Sequence, residues 1–138
     1  MRPRPLILSL ALTAATIAGG LVIRFIPLGL PQVVAKYGGS MLWALMIYWI
    51  VSAFLPSLRL IPGALLTVGI TTAVEFFKLY HSPAIDAFRL TLPGVLLLGR
   101  FFSAWDILAY WLAILAGIVI DMRIHPSTMK ASTLTSRK

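Results

Sequence analysis

Four long apolar stretches, each nearly free of charge, constrain this chain more than any other feature. A membrane-crossing helix needs about 20 mainly apolar residues, because the hydrocarbon core of a bilayer is about 30 Å thick. Such stretches lie at about residues 5–23, 40–55, 60–80 and 104–120. Of the 138 residues, 59% are hydrophobic and only 12% are charged, whereas about 25% charge is typical of soluble domains. The sequence therefore predicts an all-α integral membrane protein, a four-helix transmembrane bundle.

The amino-acid composition also limits which kinds of catalytic and metal-binding site the protein can contain. The chain contains no cysteine, which excludes disulfides, thiolate metal sites and a cysteine nucleophile. Its two histidines are too few for a His-rich metal site, and no Walker loop, dinucleotide fingerprint, nucleophile elbow or H-E-x-x-H motif occurs. We therefore expect no cofactor and no metal, and we lean against an enzyme. The net charge of +8 lies on bases that flank apolar segments, which favours membrane lipids over nucleic acid as partners.

The distribution of basic residues predicts the orientation. Four spans place both chain ends on one side of the membrane. That side holds Arg2, Arg4, Arg59, Arg123, Lys130, Arg137 and Lys138, and the other side holds Arg24, Lys36, Lys78, Arg89 and Arg100. Because basic residues concentrate in the cytoplasm, we expect both termini there. Span 1 also has the charge pattern of a cleaved signal peptide, but it is long for that role and lacks a clear A-x-A site.

We expect residues 1–124 to form a single membrane domain. Residues 125–138 are rich in Ser, Thr and Lys, which predicts a basic, disordered cytoplasmic tail. The connection between spans 3 and 4 carries a helix signal of its own, with Ser82 as N-cap and Pro83 at the first position. Apolar residues follow at helical spacing, so we predict a short interfacial helix up to Thr91. The Pro-Gly pair at 93–94 is expected to end it.

Two acidic residues interrupt the apolar stretches near one membrane face. Glu75 lies near the end of span 3 and Asp106 near the start of span 4. Consecutive spans reverse direction, so both carboxylates fall near the same face, the outer one in the predicted orientation. An acid at the centre of a membrane helix costs roughly 2.5–3.5 kcal/mol, and we expect both acids to face the bundle interior. The candidate basic partners for them are Arg24, Lys78, Arg89 and Arg100.

The two acids differ in how easily structure alone explains them. Ser103 and Asp106 form an S-x-x-D capping-box pattern at the start of span 4, and an acid there also meets the positive end of the helix dipole. Glu75 lies inside its helix, where capping does not apply. Pairing with Lys78 at i+3 is one structural explanation, and a functional site is the other.

Each span carries one stripe of small or polar residues at helical spacing. These stripes are Ser9, Thr13, Thr16 and Gly20; Ala44, Tyr48 and Ser52; Thr67, Thr71, Glu75 and Lys78; and Ser103, Asp106, Tyr110, Ala113 and Gly117. Either the stripes line a polar cavity or they pack the helices closely, as small residues and hydroxyls do in membranes. We favour packing for the small residues and hydroxyls. The predicted ligand-binding residues are Glu75, Asp106, Arg100, Arg89, Lys78 and Tyr110.

Three stretches carry a resemblance to a known family. They are residues 36–44 (KYGGSMLWA), 75–80 (EFFKLY) and 100–110 (RFFSAWDILAY). Over about residues 5–121 the chain resembles the small bacterial membrane proteins of domain-of-unknown-function family 2809. That family's pattern has an acid where Ser40 stands and a glutamine where Lys78 stands. The order of Glu, Arg and Ser-x-x-Asp is also similar, more weakly, to the VanZ-like family, which is linked to glycopeptide resistance and the cell envelope.

These observations favour a small protein of the bacterial inner (plasma) membrane. It would bind a lipid head group, a cell-envelope precursor or another polar ligand in an outward-facing pocket. A small four-span transporter is one alternative, although the multidrug exporters of that size carry their key acid in the middle of span 1, which has none here. The other alternative is an accessory subunit of a larger membrane complex.

Overall fold

The computed structural model describes residues 5–99 and 101–124, and within these ranges the chain forms six helices and no strand. Four helices are long and apolar enough to cross a membrane: α1 (Leu6–Phe25), α2 (Gln32–Phe54), α3 (Leu60–Phe77) and α6 (Ala104–Ile124). Two short helices, α4 (Pro83–Arg89) and α5 (Leu92–Leu98), occupy the connection between α3 and α6. The predicted four-helix membrane bundle is confirmed, and the protein is a multi-pass membrane protein. The predicted tail at 125–138 lies outside the described residues.

Two of the membrane helices are longer than predicted. Helix α2 begins just after Pro31 rather than near residue 40, so Lys36 lies inside the helix. A lysine near a helix end extends its ammonium group toward the membrane surface, which is why a charge was a poor marker of the helix boundary. Helix α6 continues past residue 120 and includes Asp121. A third acid therefore lies in a membrane helix.

The connection between α3 and α6 contains two helices where the sequence predicted one. Ser82 caps α4 as predicted, and its hydroxyl accepts a backbone N–H of the first turn at 3.3 Å. The Pro-Gly pair at 93–94 lies at the start of α5 rather than the end of α4, because Thr91 caps this second helix and proline is tolerated in a first turn. Gly94 also lets the helices meet, since a Cβ there would lie 1.8 Å from the carbonyl oxygen of Phe88.

Helices α2 and α6 form the centre of the bundle. Helix α2 packs against α1, α3 and α6, and α3 also packs against α6. Helix α1 packs mainly on α2, so space remains between α1 and the rest of the bundle. The buried side chains form two clusters, which contain Tyr48, Trp49, Ala64 and Ile114, and Ala44, Tyr110 and Ala113.

The polar stripes face inward, and most of their hydroxyls are used within their own helices. Thr67 and Thr71 are fully buried, and each hydroxyl donates to the carbonyl oxygen four residues earlier at 2.9 Å. Thr16 and Ser52 donate in the same way. A hydroxyl bonded to its own helix presents a small, satisfied surface to a neighbouring helix. For Thr67, Thr71 and Ser52 the arrangement supports packing over a polar cavity.

Candidate functional site

Glu75 is 0% exposed, and its carboxylate has three partners. Its Oε2 atom lies 2.6 Å from Nζ of Lys78 and accepts a hydrogen bond from the hydroxyl of Tyr110 at 2.7 Å. Its Oε1 atom accepts the backbone N–H of Ser103 at 2.8 Å. Both oxygens are therefore satisfied, as a carboxylate buried in a membrane protein requires. The partner at i+3 that the sequence suggested is present.

The bond from Ser103 to Glu75 replaces the predicted capping box. Ser103 precedes the first residue of α6, where backbone N–H groups lack partners inside the helix. In a capping box the acid three residues later would accept this N–H, and Asp106 stands at that position. In the structure the acceptor comes from α3 instead. Glu75 thus joins the end of α3 to the start of α6.

Asp106 makes a different connection. It is 5% exposed, and its Oδ1 atom accepts a hydrogen bond from the Ser40 hydroxyl at 3.1 Å. Ser40 lies on α2, so this bond joins α6 to α2 at the same end of the bundle as Glu75. Both predicted acids therefore face the interior, as their energetic cost required.

A cavity of about 880 Å³ lies beside these acids. Its walls come from α1, α2, α5, the connection after α5 and the start of α6, with Val74 of α3 and Lys78 directly after that helix. Most lining side chains are apolar, and α5 contributes an almost continuous apolar wall. The polar and charged residues in the wall are Thr16, Arg24, Lys36, Ser40, Lys78, Ser103, Asp106 and Tyr110. The volume falls within the range of about 300–1,000 Å³ that is usual for small-molecule sites.

The six predicted ligand-binding residues separate into four groups, of which Arg89 is the last. Lys78, Asp106 and Tyr110 line the cavity. Glu75 lies behind Lys78 and Tyr110 and is not part of the wall, so it would act on a ligand only through these two side chains. Arg100 lies outside the described residues. Ligand binding by these residues stays a prediction.

Arg89 is placed away from the cavity and completes the end of α3. Its guanidinium donates to the carbonyl oxygens of Phe77 and Tyr80, both at 2.8 Å, and lies 3.3 Å from Asp86. The last carbonyl groups of a helix have no partner inside it. The Arg89 side chain supplies hydrogen-bond donors to the carbonyl groups at the end of α3. Arg89 is 3% exposed.

Two bases in the cavity wall, Arg24 and Lys36, were not among the predicted site residues. Arg24 lies in the last turn of α1 and Lys36 in the first turns of α2. Within residues 5–99 and 101–124 neither base has a carboxylate within ion-pair distance. The signal was present in the sequence, because a short connection between two spans brings the bases that flank it to the same membrane level. Helix α5, which carries the apolar wall, was not predicted, because Pro93 and Gly94 were interpreted as a helix end.

A further buried carboxylate lies at the opposite end of the bundle. The hydroxyl of Tyr48 on α2 donates to Oδ2 of Asp121 on α6, and both residues are buried. The sequence signal was the stripe on span 4, which Asp121 extends by four residues beyond Gly117. This residue was missed because the span was ended at residue 120.

The groups in the cavity wall suit a ligand with two chemically different parts. Ammonium, guanidinium and hydroxyl groups and one carboxylate lie at one end, and a longer apolar wall extends from them. Cations bind anionic groups through short charge-assisted hydrogen bonds. Within the part of the chain that the structure describes, no group of three or more His, Asp or Glu side chains could hold a metal ion.

The fold and the cavity define a small four-span membrane protein with a ligand-sized space at one end of the bundle. Residues 29–114 match the family of proteins of unknown function DUF2809, and the chain belongs to this family. The matched region contains Lys36, Ser40, the Glu75 cluster and Asp106, whereas α1 with Arg24 precedes it. The match confirms the resemblance to this family and gives no support to the similarity with the VanZ-like family. No solved structure matches the chain.

Proposed function

We propose that this protein binds a ligand with a polar head group, a membrane lipid or a cell-envelope precursor, in the cavity between α1, α2, α5 and α6. The observation that carries the proposal is the cavity of about 880 Å³ with its charged groups gathered at one end. A purely structural bundle has no need of such a space. A space between helices forfeits dispersion contacts unless another molecule fills it.

The position of the cavity in the bundle favours a ligand that lies partly in the bilayer. Its lining extends along α1 from Arg24 back to Thr16, a distance of about 12 Å at 1.5 Å per residue. The charged end is therefore near the membrane surface, and the other end reaches the hydrocarbon region. A lipid or lipid-linked precursor has its polar and apolar parts in this arrangement.

The proposal places the protein in the bacterial plasma membrane with both termini in the cytoplasm and the cavity toward the outer face. The support is the larger number of bases at the end of the bundle that carries both termini. Reporter fusions after Lys138 and at Asp86 test this orientation. We expect a cytoplasmic signal for the first and an external signal for the second. The reverse result would place the cavity on the cytoplasmic face.

A small four-span transporter is a second candidate, and one observation favours it. The buried Tyr48–Asp121 pair gives the bundle a carboxylate at the end opposite Glu75 and Asp106, so acids lie near both faces. Against it, α1 contains no acidic residue. A lipid that binds without being moved between leaflets in reconstituted vesicles would favour the binding function.

Filling the cavity tests the binding function. Gly39 lines the cavity, and a Cβ added there meets nothing within 4 Å, so Gly39→Leu should fill space without disturbing the fold. Gly69 on α3 is also open but lies outside the cavity wall, which makes Gly69→Leu the matched control. We expect native mass spectrometry to find co-purified phospholipid on the wild type and on Gly69→Leu, and at least tenfold less on Gly39→Leu. Equal lipid occupancy in all three proteins would contradict the proposal.

A further inference from the structure

We propose that the ligand of this cavity is an amphiphile with an anionic phosphate head, which Arg24 and Lys36 bind while its apolar chain lies between α1 and α5. This inference rests on the proposed function and names the chemical class of the ligand.

The first support is that every acid in the chain is engaged by another group. The chain has four acidic residues. Glu75 pairs with Lys78, Asp86 contacts His81 and Arg89, Asp106 accepts from Ser40, and Asp121 accepts from Tyr48. Arg24 and Lys36 therefore have no carboxylate partner among the described residues. An anionic group of a bound ligand would therefore pair with them without displacing a carboxylate that the structure describes.

The second support is the balance of charge around the cavity. The described wall contains three bases, Arg24, Lys36 and Lys78, and one acid, Asp106. Lys78 is already neutralised by Glu75, which lies behind it. The remaining charge is two positive against one negative, so the cavity favours an anion over a neutral or cationic head group.

The third support is the kind of donors at this end. Arg24 offers a planar guanidinium that matches a phosphate with two parallel hydrogen bonds, and Lys36 offers an ammonium that binds phosphate as a point charge. The two bases lie on different helices, so one anion that contacts both needs several acceptor oxygens. A phosphate monoester has three unesterified oxygens, so two can accept from the guanidinium and the third from the ammonium, whereas a carboxylate must share its two oxygens between both bases.

The fourth support is the apolar wall. Helix α1 makes its main contact with α2 and leaves space on its other side, where Ile17 and Leu21 face the cavity along with Leu96 and Leu97 of α5. A free phosphate compound has no part that fits this surface, which lies at the depth of the hydrocarbon region. An acyl or polyprenyl chain matches it, because the chain is as apolar as the side chains it would contact.

Bases at the ends of membrane helices also contact lipid phosphates without any specific site. The experiment must therefore separate the cavity from the general surface. Arg59 supplies the control, since it is an exposed base at the opposite end of the bundle. Gly39→Leu supplies the steric control inside the cavity.

The experiment measures affinity for four probes with the full chain in a neutral detergent. The probes are didecanoyl phosphatidic acid, didecanoylglycerol, decanoic acid and inorganic phosphate. We expect phosphatidic acid to bind at least tenfold more tightly than each of the other three. Arg24→Gln and Lys36→Gln should each weaken phosphatidic acid about tenfold, which is typical of one lost charged hydrogen bond, and should leave didecanoylglycerol unchanged. Arg59→Gln should change neither affinity.

Other results would overturn the inference in distinguishable ways. Equal affinity for phosphatidic acid and didecanoylglycerol, both lost in Gly39→Leu, would reject the anionic head and leave the proposed function intact. Equal affinity for decanoic acid would reject phosphate as the group recognised. Equal affinity for inorganic phosphate would show that the apolar chain of the ligand contributes nothing to binding. The same loss in Arg59→Gln would show surface attraction only. No binding of any probe, together with no lipid on the purified wild type, would reject both proposals.

Discussion

The charged side chains are paired on one side of the cavity and have no carboxylate partner among the described residues on the other. On the side of α3 and α6, Glu75, Lys78 and Tyr110 form a closed cluster in which both carboxylate oxygens have partners, and Lys78 is only 7% exposed. On the side of α1 and α2, Arg24 and Lys36 are exposed to the cavity. Neither base there has a carboxylate partner among the described residues.

This difference separates a structural charge from a charge available to a ligand. An ion buried in a membrane protein is tolerated because it is paired and hydrogen-bonded, so removing one partner is costly. An exposed, unpaired ion beside a cavity lowers the stability of the fold little. It is also free to form a strong interaction with an anionic ligand. Glu75 is the more unusual residue in the sequence, but its carboxylate is fully used by contacts within the protein. The ordinary flanking bases are the groups that the proposed ligand would contact.

The largest effect should come from Glu75→Gln. The amide removes the negative charge and leaves the buried ammonium of Lys78 without a counter-ion, which we expect to lower the free energy of unfolding by about 3–5 kcal/mol. Thermal or denaturant unfolding in a fixed detergent, followed by tryptophan fluorescence, measures it. Asp86→Asn is the comparison, because Asp86 is half-exposed and its partner Arg89 keeps its hydrogen bonds to two backbone carbonyl oxygens; we expect a smaller loss than for Glu75→Gln.

A double variant sharpens this result. Glu75→Gln combined with Lys78→Met removes both charges, and a neutral pair is often tolerated where a single buried charge is not. We therefore expect the double variant to be more stable than Glu75→Gln alone. If Glu75→Gln instead keeps the wild-type stability and loses lipid binding, the carboxylate is functional and the contrast between the two sides is wrong.

A smaller loss should follow Gly99→Ala, beside the closed cluster. Gly99 has φ of 66° and ψ of −176°, a combination that only glycine adopts without strain, and a Cβ there would lie 2.8 Å from Cε of Lys78. Strained backbone of this kind costs about 1–3 kcal/mol. Gly69→Ala, in open space inside α3, is the control and should keep or raise the unfolding temperature. Similar melting of both variants would show that the strain is absent.

Tyr110→Phe should cost about 1.5 kcal/mol, the lower end for a hydrogen bond to a charged group. The hydroxyl that donates to Glu75 disappears, while Lys78 and Ser103 still hold the carboxylate and the ring keeps its contact with Trp43. Tyr80→Phe is the control, since the Tyr80 ring is exposed and stacks on Phe77. An equal loss in the two variants would mean that the buried hydroxyl contributes nothing specific.

The fold could be predicted from the sequence because hydropathy and length decide which segments cross a bilayer. Where the prediction was wrong, a local signal had two meanings. Lys36 was taken as the end of a loop although a lysine can lie inside a helix near its end. The Pro-Gly pair at 93–94 was interpreted as a stop, but with Thr91 as a cap it fits the first turn of α5. For the Pro-Gly pair, the packing of α5 on α4 decides between the two meanings.

The candidate site was less predictable. Helical spacing placed Glu75 and Tyr110 on inward faces, and the energetic cost of a membrane carboxylate required a partner. Spacing could not show that Arg89 bonds to the carbonyl groups of α3, because that contact depends on how α4 folds back. It also could not show that α1 stands apart from α3 and leaves a cavity. Contacts within one helix can be read from a sequence, whereas the space between helices cannot.

The smallest effect on stability should come from Arg24→Gln and Lys36→Gln. Neither base has an ion pair to lose within the described residues, and Lys36 makes a cation–π contact with its neighbour Tyr37, 5.2 Å from the ring centroid. We expect each variant to unfold within about 0.5 kcal/mol of the wild type, as substitutions away from buried networks do. The same unfolding assay measures it, with Arg59→Gln as the reference for an exposed base. A loss above about 2 kcal/mol in either variant would show that these bases hold α1 against α2, and their exposure to the cavity would then be a consequence of packing rather than a sign of a ligand.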